Sequence, residues 1–176
     1  MDYNKIKLII LDCDGVFSDG RIIYDDHRVE SKNFSAKDGM GIMLLKIAEI
    51  KVAMITGRKS QVVLQRCQDL KFDFVYQGVW RKLPIAKEIL TELGITWENV
   101  AYMGDDWNDY PVMKHAALSS CPADAFEDFK KTVDYVCIRK GGRGAIREFV
   151  EFILKHQGRF EDVLEKLIID LESTDI

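Results

Sequence analysis

The sequence predicts an α/β fold, a three-layer Rossmann-like arrangement in which helices cover both faces of a parallel sheet. Short runs of branched apolar residues alternate with stretches of helical periodicity, and that alternation needs parallel strands joined by right-handed crossovers. Several of the apolar runs stop abruptly at acids, threonine or glycine, at the strand ends where open α/β sheets bind ligands. Directly after the first strand, two short β-patterned segments flank a polar turn, which predicts a hairpin flap over about residues 18–37.

Taken in order, Leu8-Ile9-Ile10-Leu11 reads as a strand buried on both faces, ending at Asp12-Cys13-Asp14-Gly15. Arg21–Tyr24 and Arg28–Ser31 flank Asp25-Asp26-His27 as the hairpin. Met40, Met43, Leu44 and Ile47 recur at helical spacing, giving an amphipathic helix entered at Asp38-Gly39, with the methionines expected in the core. Val52–Ile55 is a second strand ending at Thr56-Gly57-Arg58. Val63, Cys67 and Leu70 mark a helix, and Phe74-Val75-Tyr76 a third strand. Lys82-Leu83-Pro84 opens a helix with Ile85, Ile89, Leu90 and Leu93 on one face, closed by Gly94. Val100–Met103 is a fourth strand running into Gly104-Asp105-Asp106-Trp107-Asn108-Asp109. Short strands follow near Leu118–Ser120 and Tyr135–Cys137, and a helix begins after Gly141-Gly142-Arg143-Gly144. The tail over 158–176 reads as helical with a polar Glu-Ser-Thr-Asp end that docks on a neighbour or frays.

With no repeat, low-complexity segment or break in composition, residues 1–176 read as one domain. The net charge of −4 argues weakly against a nucleic-acid partner. No apolar run approaches the ~20 residues that cross a bilayer, and the amino-terminal residues lack a signal-peptide layout, so no membrane partner and a cytoplasmic location are expected. Cys13, Cys67, Cys121 and Cys137 are scattered without a CxxC pair, against a zinc site or a disulfide framework. Cys13 reads as a small strand-end residue, because neighbouring acids raise a thiol's pKa instead of activating it.

Asp12 and Asp14 repel one another, so they call for a cation or for two roles separated by environment. Four strand ends then offer complementary groups: Asp12 with Asp14, Thr56-Gly57, Lys82, and Asp105 with Asp106 and Asp109. Singly, each is weak; an Asp pair is usually a solvated turn and a helix-start lysine usually surface. Lys82 even opposes the helix dipole, which makes sense beside an anion. Together they describe magnesium-assisted phosphoryl transfer. Asp12 and Asp105, on strands expected to be adjacent, supply hard oxygen ligands to Mg²⁺. Asp12 attacks phosphorus, while Thr56, the backbone N–H groups after it and Lys82 hold the phosphoryl oxygens. Asp14 protonates the leaving alkoxide and then activates water, and Asp109 orients Lys82.

Asp12-Cys13-Asp14-Gly15-Val16, Thr56-Gly57-Arg58, Lys82 and Gly104-Asp105-Asp106-Trp107-Asn108-Asp109 resemble, in order and spacing, the four motifs of the haloacid dehalogenase superfamily. Over about residues 5–160 the chain is similar to its small members without a cap domain. Ser18-Asp19-Gly20, Phe34–Gly41, Tyr76-Gln77-Gly78, Asn99–Asp106 and Gly141–Glu148 add to the likeness. The resemblance implies a homotetramer with hairpins forming a central β-structure and each site closed by a neighbour. It also implies hydrolysis of the phosphate ester of an eight-carbon keto-sugar acid bound for lipopolysaccharide, with the metal held by Asp12, Asp105 and the backbone carbonyl of Asp14. Relatives that act on a nine-carbon keto-sugar acid 9-phosphate carry an acidic residue after Thr-Gly; Arg58 stands there instead and suits the eight-carbon acid's carboxylate. Arg66 resembles a residue reaching into the neighbouring subunit's site, and reads equally as an exposed helix arginine. The turn carrying Arg143 reads as a plain strand-to-helix turn or as a substrate wall.

Two non-enzyme functions compete: a phospho-aspartate signalling domain, and a regulatory or oligomerising module like those fused to sugar-nucleotide synthetases. Asp14 argues against the first, because a receiver domain needs no acid-base group beside its phospho-aspartate and has no place for the hairpin. Asp14 with Lys82 argues against the second, because a module without turnover need not keep them. His27, His115 and His156 are expected at the surface, and Trp80, Trp97 and Trp107 in packing, with Trp107 near enough to the site to touch substrate.

Overall fold

The computed structural model describes residues 1–173; the end of the tail, Thr174 to Ile176, lies outside the described residues. Six parallel strands form one sheet in the order β5-β4-β1-β6-β7-β8. They are β1 (Leu8–Leu11), β4 (Lys51–Thr56), β5 (Phe74–Gln77), β6 (Val100–Met103), β7 (Leu118–Cys121) and β8 (Tyr135–Val136). β2 (Ile23–Tyr24) and β3 (Glu30–Ser31) form the separate antiparallel hairpin. The first strand therefore occupies the middle of the sheet, between β4 and β6, as the adjacency of Asp12 and Asp105 requires.

Every residue of β1 is buried. Ile9 and Leu11 face one core with α1 (Ala36–Ile47), α2 (Gln61–Asp69), α6 (Ala145–His156) and α7 (Phe160–Glu172). Leu8 and Ile10 face a second core with α3 (Lys82–Leu93), α4 (Tyr110–Met113) and α5 (Glu127–Lys130). Truncating such a residue, Ile10→Ala for example, costs about 2–5 kcal/mol because the cavity cannot fully collapse. The three layers thus follow from strands apolar on both faces, each face needing its own cover of helices.

The expectation that Met40 and Met43 are core is corrected: they are 38% and 48% exposed. Asp38, Gly39, Gly41, Ile42, Leu44 and Leu45 are the buried residues of α1. A Cβ on Gly41 would lie 2.9 Å from Arg147 Cα, so close backbone contact with α6 fixes the helix's orientation and turns the methionines outward. Buried Asp38 seals that contact by accepting N–H bonds from Gly144 and Arg147, 3.0 Å each, at the amino terminus of α6. Burial raises its pKa.

The hairpin is shorter than the sequence suggests, with Ile23 opposite Ser31 and Tyr24 opposite Glu30. Its turn is built by Asp25, whose carboxylate accepts N–H bonds from His27 and Val29, with Arg28 left-handed at φ 62°. An antiparallel bridge between Ser18 and Phe34 closes its base.

Candidate active site

Asp12 follows β1 directly, and its backbone N–H donates to Met103 O at 3.0 Å, so the two acidic strand ends are tied together. The chain then turns at Gly15, with φ at 89°; a Cβ there would lie 1.9 Å from Asp105 Oδ2. Glycine is required because the loop after the first acid passes against the side chain of the other. Carboxylate oxygens of Asp12, Asp105 and Asp109 all lie within 4.8 Å of one another.

Lys82, the first residue of α3, is buried between two of these acids, with Nζ 2.5 Å from Asp12 Oδ1 and 2.6 Å from Asp109 Oδ1. Burial alone would push this ammonium towards neutrality, but the carboxylates of Asp109 and Asp12 outweigh it and raise its pKa. Asp109 also accepts from the hydroxyl of buried Tyr102 at 2.7 Å and the backbone N–H of Asp105 at 3.1 Å. Its oxygens are therefore committed within the protein. Burial, followed by the charge of Asp109, raises Asp12 to about 7. Burial, then the charges of Asp12 and Asp109, raises Asp105 to about 8.

Three clustered carboxylates thus face a single ammonium, and Asp109 is already spent on Lys82. Asp12 and Asp105 remain as hard, deprotonatable oxygen donors with negative charge in excess. This donor set fits a hard divalent cation such as Mg²⁺.

A cleft of about 260 Å³ opens over the cluster, lined by Asp12, Asp14, Thr56, Gly57, Arg58, Trp80, Asp105, Asp106 and Asn108. Seven of the residues singled out from sequence meet there, with Lys82 and Asp109 buried beneath. The hairpin reaches the same place. Arg58 donates to Tyr24 Oη at 2.7 Å and to Glu30 Oε1 at 3.0 Å, while Lys32 pairs with Asp14 from β3's end of the hairpin. Tyr24, Glu30, Lys32, Tyr102 and Asn108 had not been singled out for the site. The hairpin's position right after the acid pair was the available signal for Lys32. Cys13 is buried, and burial followed by Asp14 and Asp12 holds its thiol far above the usual range, as expected of a packing residue.

Two residues lie elsewhere. Arg66 lines a depression with Phe34, Gln61 and Asp69, and Arg143 lines a groove with Arg139, Arg147 and Glu148. Neither reaches the cleft of its own chain. The glycines beside Arg143 do bear on the site: Gly142 donates its N–H to Val16 O at 2.9 Å, and a Cβ on Gly141 would sit 1.7 Å from Gly15 O. The turn braces the loop after Asp14. Expected packing roles for Trp80 and Trp107 are also corrected. They are 75% and 52% exposed and line a cavity of about 640 Å³ beside the cleft, whereas Trp97 packs partly buried against His115.

Residues 73–148 match the haloacid dehalogenase-like hydrolase family. Over 158 residues the chain is 44% identical to the 3-deoxy-D-manno-octulosonate 8-phosphate phosphatase of Escherichia coli K12, spanning 90% of this chain and 84% of that protein. The chain belongs to the haloacid dehalogenase-like hydrolases. It is a phosphatase of that family. Two solved structures are similar over nearly their whole length. The 3-deoxy-D-manno-octulosonate 8-phosphate phosphatase of Yersinia pestis has a TM-score of 0.89 and 41% identity, covering 91% of this chain and 86% of that one. That of Moraxella catarrhalis, solved with magnesium, phosphate and the sugar acid, has a TM-score of 0.90 and 36% identity, covering 94% and 95%. As in such capless hydrolases, the described residues between β1 and β4 hold a short π-helical turn (Cys13–Phe17), the hairpin and α1, with no inserted cap domain.

Proposed function

We propose that this protein is a cytoplasmic, Mg²⁺-dependent phosphatase of 3-deoxy-D-manno-octulosonate 8-phosphate, acting through an aspartyl-phosphate and supplying lipopolysaccharide precursor. The observation that carries it is Lys82 held between Asp12 and Asp109 beside Asp105, in a chain similar to phosphatases of that substrate. Asp12 and Asp105, with the backbone carbonyl of Asp14, hold the ion. When bound, Mg²⁺ offsets the repulsion between a carboxylate nucleophile and the phosphoryl oxygens.

Asp12 Oδ attacks phosphorus and the ester oxygen leaves with a proton from Asp14. Asp14 then takes a proton from the water that hydrolyses the acyl phosphate, and Asp12 is regenerated. Lys82, Thr56 and the backbone at Gly57 stabilise the phosphoryl oxygens, Asp109 fixes Lys82, and Asp106 supports the loop by accepting from Trp107 N–H at 2.7 Å. Arg58 reads the sugar carboxylate while tying down the hairpin. Arg66 and Arg143, which face away from their own cleft, serve a neighbouring subunit of a homotetramer. Ile22, Ile23, Tyr24 and Val29, all exposed on the hairpin, supply an apolar surface for that assembly.

The test is phosphate release from eight- and nine-carbon keto-sugar acid phosphates compared by kcat/KM, with light scattering for assembly. Preference for the eight-carbon ester is expected. A preference for the nine-carbon ester overturns the substrate, and failure to release phosphate from either overturns the enzyme.

A further inference from the structure

We propose that the trough between Trp80 and Trp107 is the leaving-group subsite, where the carbon skeleton of the phosphate ester lies with its C–H faces against the indoles. It deepens the phosphatase function proposed above and rests on it. The carboxylate cleft holds about 260 Å³, below the roughly 300–1,000 Å³ of sites that enclose an organic ligand. It suits the two charged ends of the ester, the phosphoryl group at the acids and the carboxylate at Arg58, but the carbon skeleton between them must bulge beyond it. Trp80, Asp106 and Asn108 line both the cleft and the neighbouring cavity of about 640 Å³. The rest of the ester can therefore continue into that cavity along these shared walls.

The cavity's other walls are Leu83, Pro84, Trp107 and Pro111, with Arg81 and Lys82 at the start of α3. Apolar walls with a few polar groups at one end are the composition of a ligand site. An indole face carries negative charge density that attracts the weakly positive C–H edge of a sugar.

Both rings sit on anchored backbone. Gly78 and Val79, just before Trp80, donate N–H bonds to Arg58 O at 3.2 Å and Thr56 O at 2.9 Å. Trp80 thus moves with the strand end that supplies Thr56. Trp107 is held edge-on by Phe129 and Tyr110, with ring centroids 5.5 and 6.0 Å away. Among the described residues neither indole N–H donates within the protein, which leaves two donors for sugar hydroxyls.

Trp80→Ala and Trp107→Ala test this through selectivity. The kcat/KM for the octulosonate phosphate, divided by that for acetyl phosphate, should fall roughly three- to tenfold. The loss should appear in KM, and Trp80→Phe and Trp107→Phe should recover most of it. An unmoved ratio overturns the subsite and leaves the phosphatase intact. A changed assembly with an unmoved ratio also overturns it, because the trough would then seat a second copy of this chain. If the unsubstituted protein releases no phosphate from the octulosonate ester, the proposed function fails and the subsite with it.

Discussion

Lys82 Nζ and Asp109 Oδ1 are 2.6 Å apart with both side chains shut off from solvent, and they join the start of α3 to the loop after β6. Removing one partner of such a pair leaves a buried charge uncompensated, which costs about 3–5 kcal/mol. Lys82→Ala should therefore lose both activity and roughly that much stability in urea unfolding. Lys82→Met combined with Asp109→Asn should regain most of the stability and none of the turnover, because the charge is gone but so is the phosphoryl contact. Full stability in the single variant would mean that Tyr102 and the backbone donors suffice for Asp109.

Asp12→Asn should behave in the opposite way. Burial and Asp109 already push the Asp12 carboxyl towards its neutral form, so a neutral amide suits the site. The variant should keep an equal or higher melting temperature while phosphate release disappears. Substantial residual turnover would place the nucleophile on another residue.

The same burial gives the metal-free protein a pH signature. An unfolded aspartate titrates near 3.9, whereas folded Asp12 and Asp105 are raised to about 7 and about 8. Between those values the native state binds more protons than the unfolded chain, so stability falls as pH rises from about 4 to about 8. In chelator, Tm should drop across that window. Millimolar Mg²⁺, which needs both carboxylates charged, should raise Tm more at about pH 8 than at about pH 5. An equal Mg²⁺ shift at both pH values would remove Asp12 and Asp105 as its ligands.

The strand ends were legible in the sequence because a doubly buried strand must be apolar throughout, so the first polar residue marks its exit. Asp12, Thr56 and Asp105 were found that way. That the strands carrying Asp12 and Asp105 are neighbours was also expected, since one ion needs both oxygens. The full order β5-β4-β1-β6-β7-β8 comes only from the fold, because crossover rules narrow the topologies without choosing one. Helix faces were less legible where a contact with one atom sets the rotation. Met40 and Met43 have the spacing of a core stripe, yet the approach of Gly41 to Arg147 turns them outward. Lys32 was missed for a related reason. Its partner Asp14 lies 18 residues away, and only the fold of the hairpin brings the two together. Trp80 and Trp107 look like core by type alone, and only the cavity between them distinguishes a wall from packing.

Arg58 carries two loads that one substitution should separate. Its guanidinium bonds Tyr24 and Glu30 across the hairpin and stands 3.7 Å from Asp14 Oδ2. Arg58→Glu would set an acid against Glu30 and Asp14, so amide exchange over residues 23–31 should quicken. Turnover of the octulosonate phosphate should fall much further than that of an aryl phosphate, since only the former offers a carboxylate. Equal losses on both esters would confine Arg58 to holding the hairpin.

Gly141 tests how far the catalytic loop depends on the glycine turn packed behind it. A Cβ at this position would fall 1.7 Å from Gly15 O and 2.4 Å from Gly15 C, both backbone atoms that no rotamer change can clear. In Gly141→Ala either the turn or the loop must move, and the turn is held on its far side by Asp38 through Gly144. The loop carrying Asp14 and Gly15 should give way. A displacement of about 1 Å at reacting groups can cost on the order of a hundredfold in rate, so kcat should fall by about that factor. Gly94→Ala supplies the contrast. Gly94 is also left-handed, at φ 63°, but a Cβ there meets nothing within 4 Å. It should lose about 1–2 kcal/mol of stability and keep its turnover, because it ends α3 at the opposite end from Lys82. Equal kcat losses in the two variants would mean that Gly141 acts through general stability and not through the position of the loop.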